Sequence, residues 1–240
     1  MSKGFVAVAL GLMLLKLYTW GTIIRPHSVP ILNVLYFIFA MLMFWSYARA
    51  MLSRPMNRKP INDTEQVSRY CERCDADKAE HVHHCSVCQR CVYRMDHHCP
   101  WTGNCVAWSN KKFFLLFLVY TSLSCLVFNI MVSPMVGDSR FRRYEVLLKF
   151  GWVMTLAVGL LLAGYFLFHL WLLGQGKTTL EFLAAKRGEL ADCSFIHNVT
   201  VYFGRDVWRW WLPTTPMLDA AMGGRREYDD GEETLQLVVE

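Results

Sequence analysis

Four long apolar segments constrain the fold of this chain more than any other feature of its sequence. They cover residues 5–24, 30–48, 113–133 and 150–173. The first contains one charged side chain, Lys16, and the other three contain none. A helix needs roughly 20 apolar residues to cross the hydrocarbon core of a bilayer, and lipid offers backbone amides no partner outside the helix. We therefore predict four transmembrane helices.

Two other interpretations of these segments fit less well. Four buried helices of a soluble protein would normally show a polar face. A signal peptide would end in small residues, whereas the first segment ends in Trp20, Ile23 and Ile24. Charged residues make up only 19% of the chain, below the usual quarter. We expect an all-α polytopic membrane protein, in which Lys16 reaches towards a membrane interface.

The apolar segments divide the chain into four parts. We predict a transmembrane hairpin over 1–53, a polar insert over 54–112, a second hairpin over 113–173 and a tail over 174–240 that includes an interfacial segment. An even number of spans places both termini and the insert on one side of the membrane. The insert carries ten Lys and Arg, against five in the loops on the other side.

The positive charge of the insert favours a cytosolic orientation, although four of the five opposing charges are concentrated in residues 134–149. Two glycosylation sequons, at Asn62 and Asn198, would then face the cytosol and stay unmodified. We expect an endomembrane location such as the endoplasmic reticulum or Golgi, and no nucleic-acid partner.

The insert is rich in cysteine and histidine. It holds seven of the nine cysteines and five histidines: Cys71, Cys74, Cys85, Cys88, Cys91, Cys99 and Cys105, with His81, His83, His84, His97 and His98. An odd number of cysteines interleaved with histidines is unusual for a disulfide framework. Repeated Cys-x-x-Cys pairs with histidines are typical of zinc sites. We predict that the insert binds zinc.

Counting ligands leaves one cysteine over. Two closed tetrahedral sites need eight ligands, and six cysteines with two histidines supply them. The spacing alone does not show which cysteine is spare, but Cys99 follows Asp96, His97 and His98 directly. A neighbouring imidazole lowers the pKa of a thiol, and an aspartate can orient that imidazole. We predict that Cys99 is a nucleophile, with His97 or His98 as its base and Asp96 as the orienting group.

The order of these motifs resembles a known family. Asp96-His97-His98-Cys99, followed by Pro100-Trp101 and Asn104-Cys105, is similar to the cysteine-rich domain of the DHHC-type protein S-acyltransferases, or palmitoyltransferases. That domain also lies between the second and third of four spans. Thr178-Thr179-Leu180-Glu181 and the segment 198–204 match in the same order, so the resemblance covers roughly residues 1–212.

The resemblance implies two structural zinc sites. One would take Cys71, Cys74, His84 and Cys91, and the other Cys85, Cys88, His98 and Cys105. Two departures from the family pattern do not touch these ligands. Lys78-Ala79-Glu80-His81 stands where the family usually has Pro and Arg, and Thr102-Gly103 replaces a commoner pair.

The resemblance also implies a two-step acyl transfer. Cys99 would take a long-chain acyl group, palmitoyl in the family's usual case, from acyl-CoA and pass it to an accessible cysteine of a substrate protein. Ser124 is a candidate for the cavity that holds the acyl chain, or it simply bonds its own helix backbone. Thr178, Thr179 and Glu181 would brace the insert near Asp96, or form only a helix cap. Asn198 would dock the tail.

Other assignments stay open at this stage. Candidates for the anionic coenzyme A are Arg90, Arg94, Lys111, Lys112, Arg205 and Arg209, although each could be a surface charge or a lipid contact. A catalytically silent, zinc-stapled membrane scaffold is the alternative function. A zinc hydrolase would need an open metal position, which the ligand count does not leave.

Overall fold

The computed structural model describes residues 2–55, 69–78, 81–188 and 190–216. Its helices are α1 (Ser2–Thr19), α2 (Pro30–Leu52), α3 (Lys111–Val132), α4 (Glu145–Gly174), α5 (Thr179–Leu183) and α6 (Phe195–Phe203). Four helical stretches of the described residues are long and apolar enough to cross a membrane. This confirms the four spans predicted from the sequence by length and composition.

The helical stretches extend beyond the apolar segments. They run over Lys3–His27, Pro30–Leu52, Lys111–Met135 and Ser139–Gly174. The first continues past α1 through a π-helical turn at Trp20–Ile24 and a 3₁₀ turn at Arg25–His27. Further 3₁₀ turns cover Ser133–Met135, Ser139–Tyr144 and Val207–Arg209. Apolarity therefore predicted the existence of each helix better than its ends.

The fourth helix differs most from its predicted bounds. The sequence predicted a loop through residue 149, but α4 already begins at Glu145. The Lys149 ammonium donates to the Glu145 carboxylate at 2.6 Å, one helical turn away. Such pairs support a helix where it leaves the apolar segment, so the polar flank continues α4.

Helix α3 lies between α2 and α4 and is the most buried of the four long helices. Gly159 of α4 faces Cys125 of α3 so closely that a Cβ atom at Gly159 would lie 2.9 Å from the Cβ atom of Cys125. The missing side chain therefore allows α3 and α4 to approach each other, because a larger residue would push the backbones apart.

The described part of the insert before α3 is not helical, and the all-α prediction is wrong for this part of the chain. It forms three antiparallel hairpins: β1 (Arg69–Cys71) with β2 (Ala76–Lys78), β3 (Val82–Cys85) with β4 (Arg90–Tyr93), and β5 (Met95–Cys99) with β6 (Asn104–Ala107). The strands are only three to five residues long. Strands so short show no clear alternation of apolar and polar residues.

Residues 56–68 and 79–80 of the predicted insert, with Asn62, lie outside the described residues, as do 189 and 217–240 of the tail.

The register of two hairpins brings candidate metal ligands together. His84 pairs with Cys91 across β3 and β4, and His98 pairs with Cys105 across β5 and β6. Directly opposite residues have Cβ atoms only about 4.5–5.5 Å apart. Each histidine is therefore placed beside a cysteine from the neighbouring strand.

The third hairpin is fastened to the end of α2. The Asn104 amide donates to the carbonyl oxygens of Ala50, at 3.1 Å, and Ser53, at 2.7 Å. The Tyr47 hydroxyl donates to the Trp101 carbonyl at 2.8 Å. The two Asn104 bonds cap free carbonyls at the end of α2, and together with the Tyr47 bond they hold the hairpin that carries Cys99 against the helices.

Candidate metal centres and nucleophilic cysteine

Two clusters of cysteine and histidine side chains lie in the insert. Cys71, Cys74, His84 and Cys91 form the first, and Cys85, Cys88, His98 and Cys105 form the second. Within each cluster the possible ligand atoms all lie within 4.8 Å of one another. These are the two groupings that the family resemblance implied. They interlock, because the neighbours His84 and Cys85 belong to different clusters.

The distances in both clusters suit a tetrahedral metal ion. The Nδ1 atom of His84 lies 3.2 Å from the Cys74 sulfur and 3.6 Å from the Cys71 sulfur. In the second cluster the Nδ1 atom of His98 lies 3.3 Å from the Cys88 sulfur. Ligands about 2.0–2.3 Å from a central zinc ion are separated by about 3.5–3.8 Å along the edges of a tetrahedron. Each cluster can therefore hold a metal ion.

Cys99 belongs to neither cluster. Its side chain is buried, and its thiol hydrogen-bonds to the His97 imidazole. Burial alone would raise the pKa of the Cys99 thiol, but the hydrogen bonds with His97 and Thr102 lower it below the ordinary value. A lowered pKa increases the thiolate fraction, which is the nucleophilic form. Cys99 therefore has the surroundings of a reactive cysteine.

His97 links Cys99 to Asp96. Its Nδ1 atom donates to the Asp96 carboxylate at 2.8 Å, since an ionised carboxylate can only accept. Burial opposes the charged imidazole, but the bonds to Asp96 and Cys99 prevail and raise the pKa of His97 to about 9. With Nδ1 held by Asp96, Nε2 is the atom left for a thiol. A proton can therefore pass between the Cys99 thiol and the His97 imidazole while Asp96 orients the imidazole.

Asp96 is the most enclosed charge of the site, with no exposed surface. The Lys111 ammonium donates to one carboxylate oxygen at 2.7 Å. Thr179 donates its hydroxyl to the other oxygen at 2.6 Å and its backbone N–H to the first at 3.2 Å. Burial would raise the pKa of this carboxyl, but Lys111 and His97 hold it well below its ordinary value. Asp96 therefore stays ionised and orients His97.

Lys111 has a role that the sequence did not indicate. We considered it a candidate for binding coenzyme A or a surface charge, but its side chain is only 1% exposed and its ammonium pairs with Asp96. Its place at the first turn of α3, 15 positions after Asp96, was the only available signal. A cation is needed there because an unpaired buried carboxylate is very costly.

His169 of α4 completes the surroundings of the site. It is fully buried, and neither ring nitrogen has a hydrogen-bond partner among the described residues. Its ring stacks on that of His97 with centroids 5.9 Å apart, and its Nδ1 atom lies 3.9 Å from the Asp96 carboxylate. Asp96, His97 and His169 also form the third group whose atoms lie within 4.8 Å of one another.

The segment that follows α4 reaches the same site. Thr178 caps α5: its hydroxyl accepts from the Glu181 N–H at 3.2 Å, while the Glu181 carboxylate accepts from the Thr178 N–H at 2.8 Å. This reciprocal capping box orders the first turn of α5. The cap and the brace were alternatives in the sequence, and both occur here because Thr179, the next residue, bonds Asp96.

Asn198 lies in α6 and is fully buried. Its amide donates to the Leu173 carbonyl at 2.9 Å, near the end of α4. The contact joins the tail to the fourth long helix.

Ser124 does not provide free space between the helices. Its hydroxyl donates to the Thr121 carbonyl at 2.9 Å, and the Lys16 ammonium approaches it at 2.7 Å. Lys16 is 8% exposed and points inward, so the expectation that it reaches an interface is wrong. An apolar cleft of about 90 Å³ lies beside this pair, between α1, α3 and α4, and is lined by Lys16, Thr121 and Cys125 among others.

Comparisons with known proteins identify the class. The chain matches the model of the DHHC palmitoyltransferase family over residues 64–186. It is 38% identical over 159 residues to rat Palmitoyltransferase ZDHHC15, and the aligned region covers 60% of this chain and 46% of the rat protein. It is 30% identical over 237 residues to mouse Palmitoyltransferase ZDHHC2, and the aligned region covers 78% of this chain and 63% of the mouse protein.

The matched region covers most of the insert together with α3, α4 and α5, which is slightly more than half of the chain. The chain therefore belongs to the DHHC palmitoyltransferase family. It spans about half the length of the curated relatives named ZDHHC15 that it matches. Both clusters and the strand β5, which carries Asp96 and Cys99, lie inside the matched residues.

Proposed function

We propose that this chain is a protein S-acyltransferase that forms an acyl-enzyme on Cys99. The observation that carries this proposal is the one cysteine of the described insert outside both clusters, hydrogen-bonded to an imidazole that a buried carboxylate orients. This arrangement suits a thiol nucleophile and its base. The rat and mouse relatives are both named palmitoyltransferases, which supports the same reaction.

In the first step His97 takes the proton of Cys99, and the thiolate attacks the carbonyl carbon of a long-chain acyl-CoA thioester. A new C–S bond forms to Cys99, and the C–S bond to coenzyme A breaks. The departing coenzyme A thiolate then takes the proton from His97. Asp96 stabilises the imidazolium while it exists, because the carboxylate accepts from Nδ1 throughout.

In the second step the thiol of a substrate protein gives its proton to His97 and attacks the acyl group on Cys99. The C–S bond to Cys99 breaks, and the Cys99 thiolate recovers the proton. One thioester is exchanged for another in each step, so the reaction needs no phosphate-bond energy. The acceptor is a cytosolic or membrane-associated protein with an accessible cysteine.

Two zinc ions are proposed as structural components. Each cluster supplies four cysteine and histidine ligands, which closes a tetrahedral site and leaves no position for a reacting water. Zinc thereby holds the three short hairpins in place, since strands of three to five residues bury too little surface to fold alone. The chemistry of the transfer belongs to Cys99, His97 and Asp96.

The helices provide the membrane setting. We propose that the four long helices span an endomembrane, with the insert and both termini in the cytosol. Trp208 and Trp211 of the tail are 91% and 66% exposed, and such aromatic side chains favour the membrane interface.

The acyl chain of the substrate needs an apolar site. Burying a chain of about 16 carbons is favourable by about 0.8 kcal/mol for each methylene, so an apolar space between the helices suits the acyl chain. Lys16, which donates to the Ser124 hydroxyl, lines the cleft that is the candidate for this site.

The proposal is tested by labelling Cys99. Purified protein in detergent is incubated with an alkyne-tagged palmitoyl-CoA, and the label on each cysteine is read by mass spectrometry before and after hydroxylamine. We expect a hydroxylamine-sensitive adduct on Cys99, two zinc ions per chain, and no adduct in Cys99→Ser. Cys193→Ser is the matched control, because Cys193 is half-buried and lies outside both clusters.

Two outcomes would contradict the proposal. A wild-type chain that holds zinc but takes up no label would be a silent membrane scaffold. Label transfer to a substrate that survives Cys99→Ser would indicate a different nucleophile. Orientation is tested separately in microsomes: the Asn62 sequon stays unglycosylated if the insert is cytosolic, and a sequon engineered between α3 and α4 serves as the positive control.

A further inference from the structure

The last described part of the chain crosses the ends of α2 and α3. We call residues 209–215 the tail strap. The Lys112 ammonium donates to the carbonyl oxygens of Arg209, at 2.8 Å, and Thr214, at 3.0 Å. The Tyr120 hydroxyl donates to the Trp211 carbonyl. Three backbone carbonyls of the strap are thus held by side chains of α3.

The strap also contacts α2 through the Arg49 side chain. The Arg49 guanidinium donates to the Thr215 hydroxyl at 2.7 Å and lies over the Phe113 ring, 4.5 Å from its centroid. Arg49 is in the last turn of α2, and Lys112 is in the first turn of α3. Thr215 therefore lies where two helices bring cationic side chains to the strap.

These cations are poorly neutralised by the residues that the structure describes. Arg49 and Arg209 lie close enough to Lys112 for their charges to act on it. Lys112 is only 1% exposed, and its partners are neutral carbonyl oxygens. Within the described ranges, the one carboxylate paired with any of the three is Asp206, 3.9 Å from Arg209. The arrangement suits an additional anion beside Thr215.

The sequence around Thr215 offers a way to supply that anion. Thr215 stands in Pro213-Thr214-Thr215-Pro216 and is half-buried. A following proline biases a threonine towards an extended backbone, and proline-directed protein kinases accept a threonine in this setting. We propose that Thr215 is a phosphorylation site and that Arg49 and Lys112 receive its phosphate. The site is distinct from Cys99 and from both metal clusters.

The modification is an ordinary phosphoryl transfer from ATP. The Thr215 oxygen attacks the γ-phosphorus, an O–P bond forms, the bond to ADP breaks, and the kinase base takes the hydroxyl proton. The phosphate carries about −1.5 to −2 charges and three acceptor oxygens at neutral pH. Arg49 can bind two of these oxygens in parallel, and the N-terminus of α3 beside Lys112 also favours an anion.

Phosphorylation would tighten the strap. At present Thr215 offers one neutral oxygen to Arg49. A phosphate joined to α2 through Arg49 and to α3 through Lys112 would replace this contact with charge-assisted bonds, which are roughly twice as strong as neutral ones. Phosphorylation therefore slows the opening of the strap. In cells this depends on the proposed cytosolic side of the tail, but purified protein in detergent removes that dependence.

The experiment uses the full chain in detergent micelles with Mg-ATP and a proline-directed kinase of the mitogen-activated protein kinase class. We expect phosphate on Thr215 by peptide mass spectrometry, its loss in Thr215→Val, and its retention in the matched control Thr214→Val. Phosphate on Thr214 alone, or none on Thr215, overturns the proposal. Acyl transfer is not a readout, so failure of the proposed enzyme activity would leave this result unaffected.

Hydrogen exchange tests the receiving residues. In phosphorylated wild type we expect two amides to exchange at least threefold more slowly: that of Leu212, which donates to the Arg209 carbonyl within the strap, and that of Trp210, which donates to the Val207 carbonyl just before it. Phosphorylated Arg49→Gln should lose that gain. Arg49→Lys, which keeps the charge but not the paired donors, should retain part of it and covers the case in which Arg49→Gln does not fold. Unchanged or faster exchange in phosphorylated wild type overturns the role of Arg49 and Lys112.

Discussion

The hydroxyl of Thr179 is the most direct single link between α5 and the candidate catalytic strand. It donates to the Asp96 carboxylate at 2.6 Å, while the Thr179 N–H donates to the other oxygen at 3.2 Å. Thr179→Val removes the hydroxyl and keeps the shape and the backbone N–H. Thr179→Ser keeps the hydroxyl and removes a methyl group, so it is the matched control.

The expected cost follows from the charge and burial of Asp96. A hydrogen bond to a charged group contributes about 1.5–3 kcal/mol, and Asp96 has no exposed surface from which water could replace the lost donor. At about 1.4 kcal/mol for each factor of ten, local opening of α5 should become roughly 10- to 150-fold more frequent. Lys111 and His97 stay bound to Asp96, so the insert should keep its fold.

Hydrogen exchange measures this opening directly, because partial unfolding is visible at individual amides. The probes are the N–H groups of Phe182, Ala184 and Lys186, which bond to carbonyls 2.9–3.0 Å away within and just after α5. We expect Thr179→Val to speed their exchange and slow acyl loading of Cys99, and Thr179→Ser to stay within threefold of wild type. Equal exchange rates in wild type and Thr179→Val would refute the reasoning. Equally increased exchange in Thr179→Val and Thr179→Ser would also refute it.

Three further predictions concern the base, the metal and the buried imidazole. His97→Ala should slow acyl loading by about 10²–10⁴-fold, the usual contribution of a general base, while zinc content by mass spectrometry stays near two per chain; loss of zinc would exchange the roles of His97 and His98. Cys88→Ser should release zinc and unfold the insert, because binding of structural zinc contributes about 10–16 kcal/mol to the folding of small domains. A variant that holds only one zinc ion but resists proteolysis as well as wild type would contradict this. His169→Phe should not lower the thermal midpoint, since neither ring nitrogen is hydrogen-bonded; a drop of more than a few degrees would reveal a polar contact at His169.

Local patterns predicted the parts of this protein that depend on local chemistry. A helix that crosses a membrane has to be long and apolar, so composition alone revealed all four. The Cys-x-x-Cys pairs indicated metal binding for a similar reason, because two ligands three positions apart can reach one ion. The exact helix ends escaped, because a pair such as Glu145 and Lys149 extends a helix beyond its apolar segment.

Long-range pairing was beyond the reach of the sequence. Lys111 carries a charge that is typical of surface residues, and only the fold brings its ammonium to the Asp96 carboxylate. Lys16 and Ser124 are 108 positions apart, so no local rule could have predicted that they touch. The three hairpins were also missed, since strands this short are held by the ligands at their ends more than by their own residues.

What the sequence by itself determined is therefore the chemical inventory: four membrane-length helices, eight ligands for two clusters, and a cysteine beside a histidine and an aspartate. The tertiary structure alone decided which charges meet. Burying the Asp96 carboxylate requires a compensating cation and several donors. They come from α3 and from Thr179, the first residue of α5, and these parts of the chain converge on Asp96 only after the helices have packed.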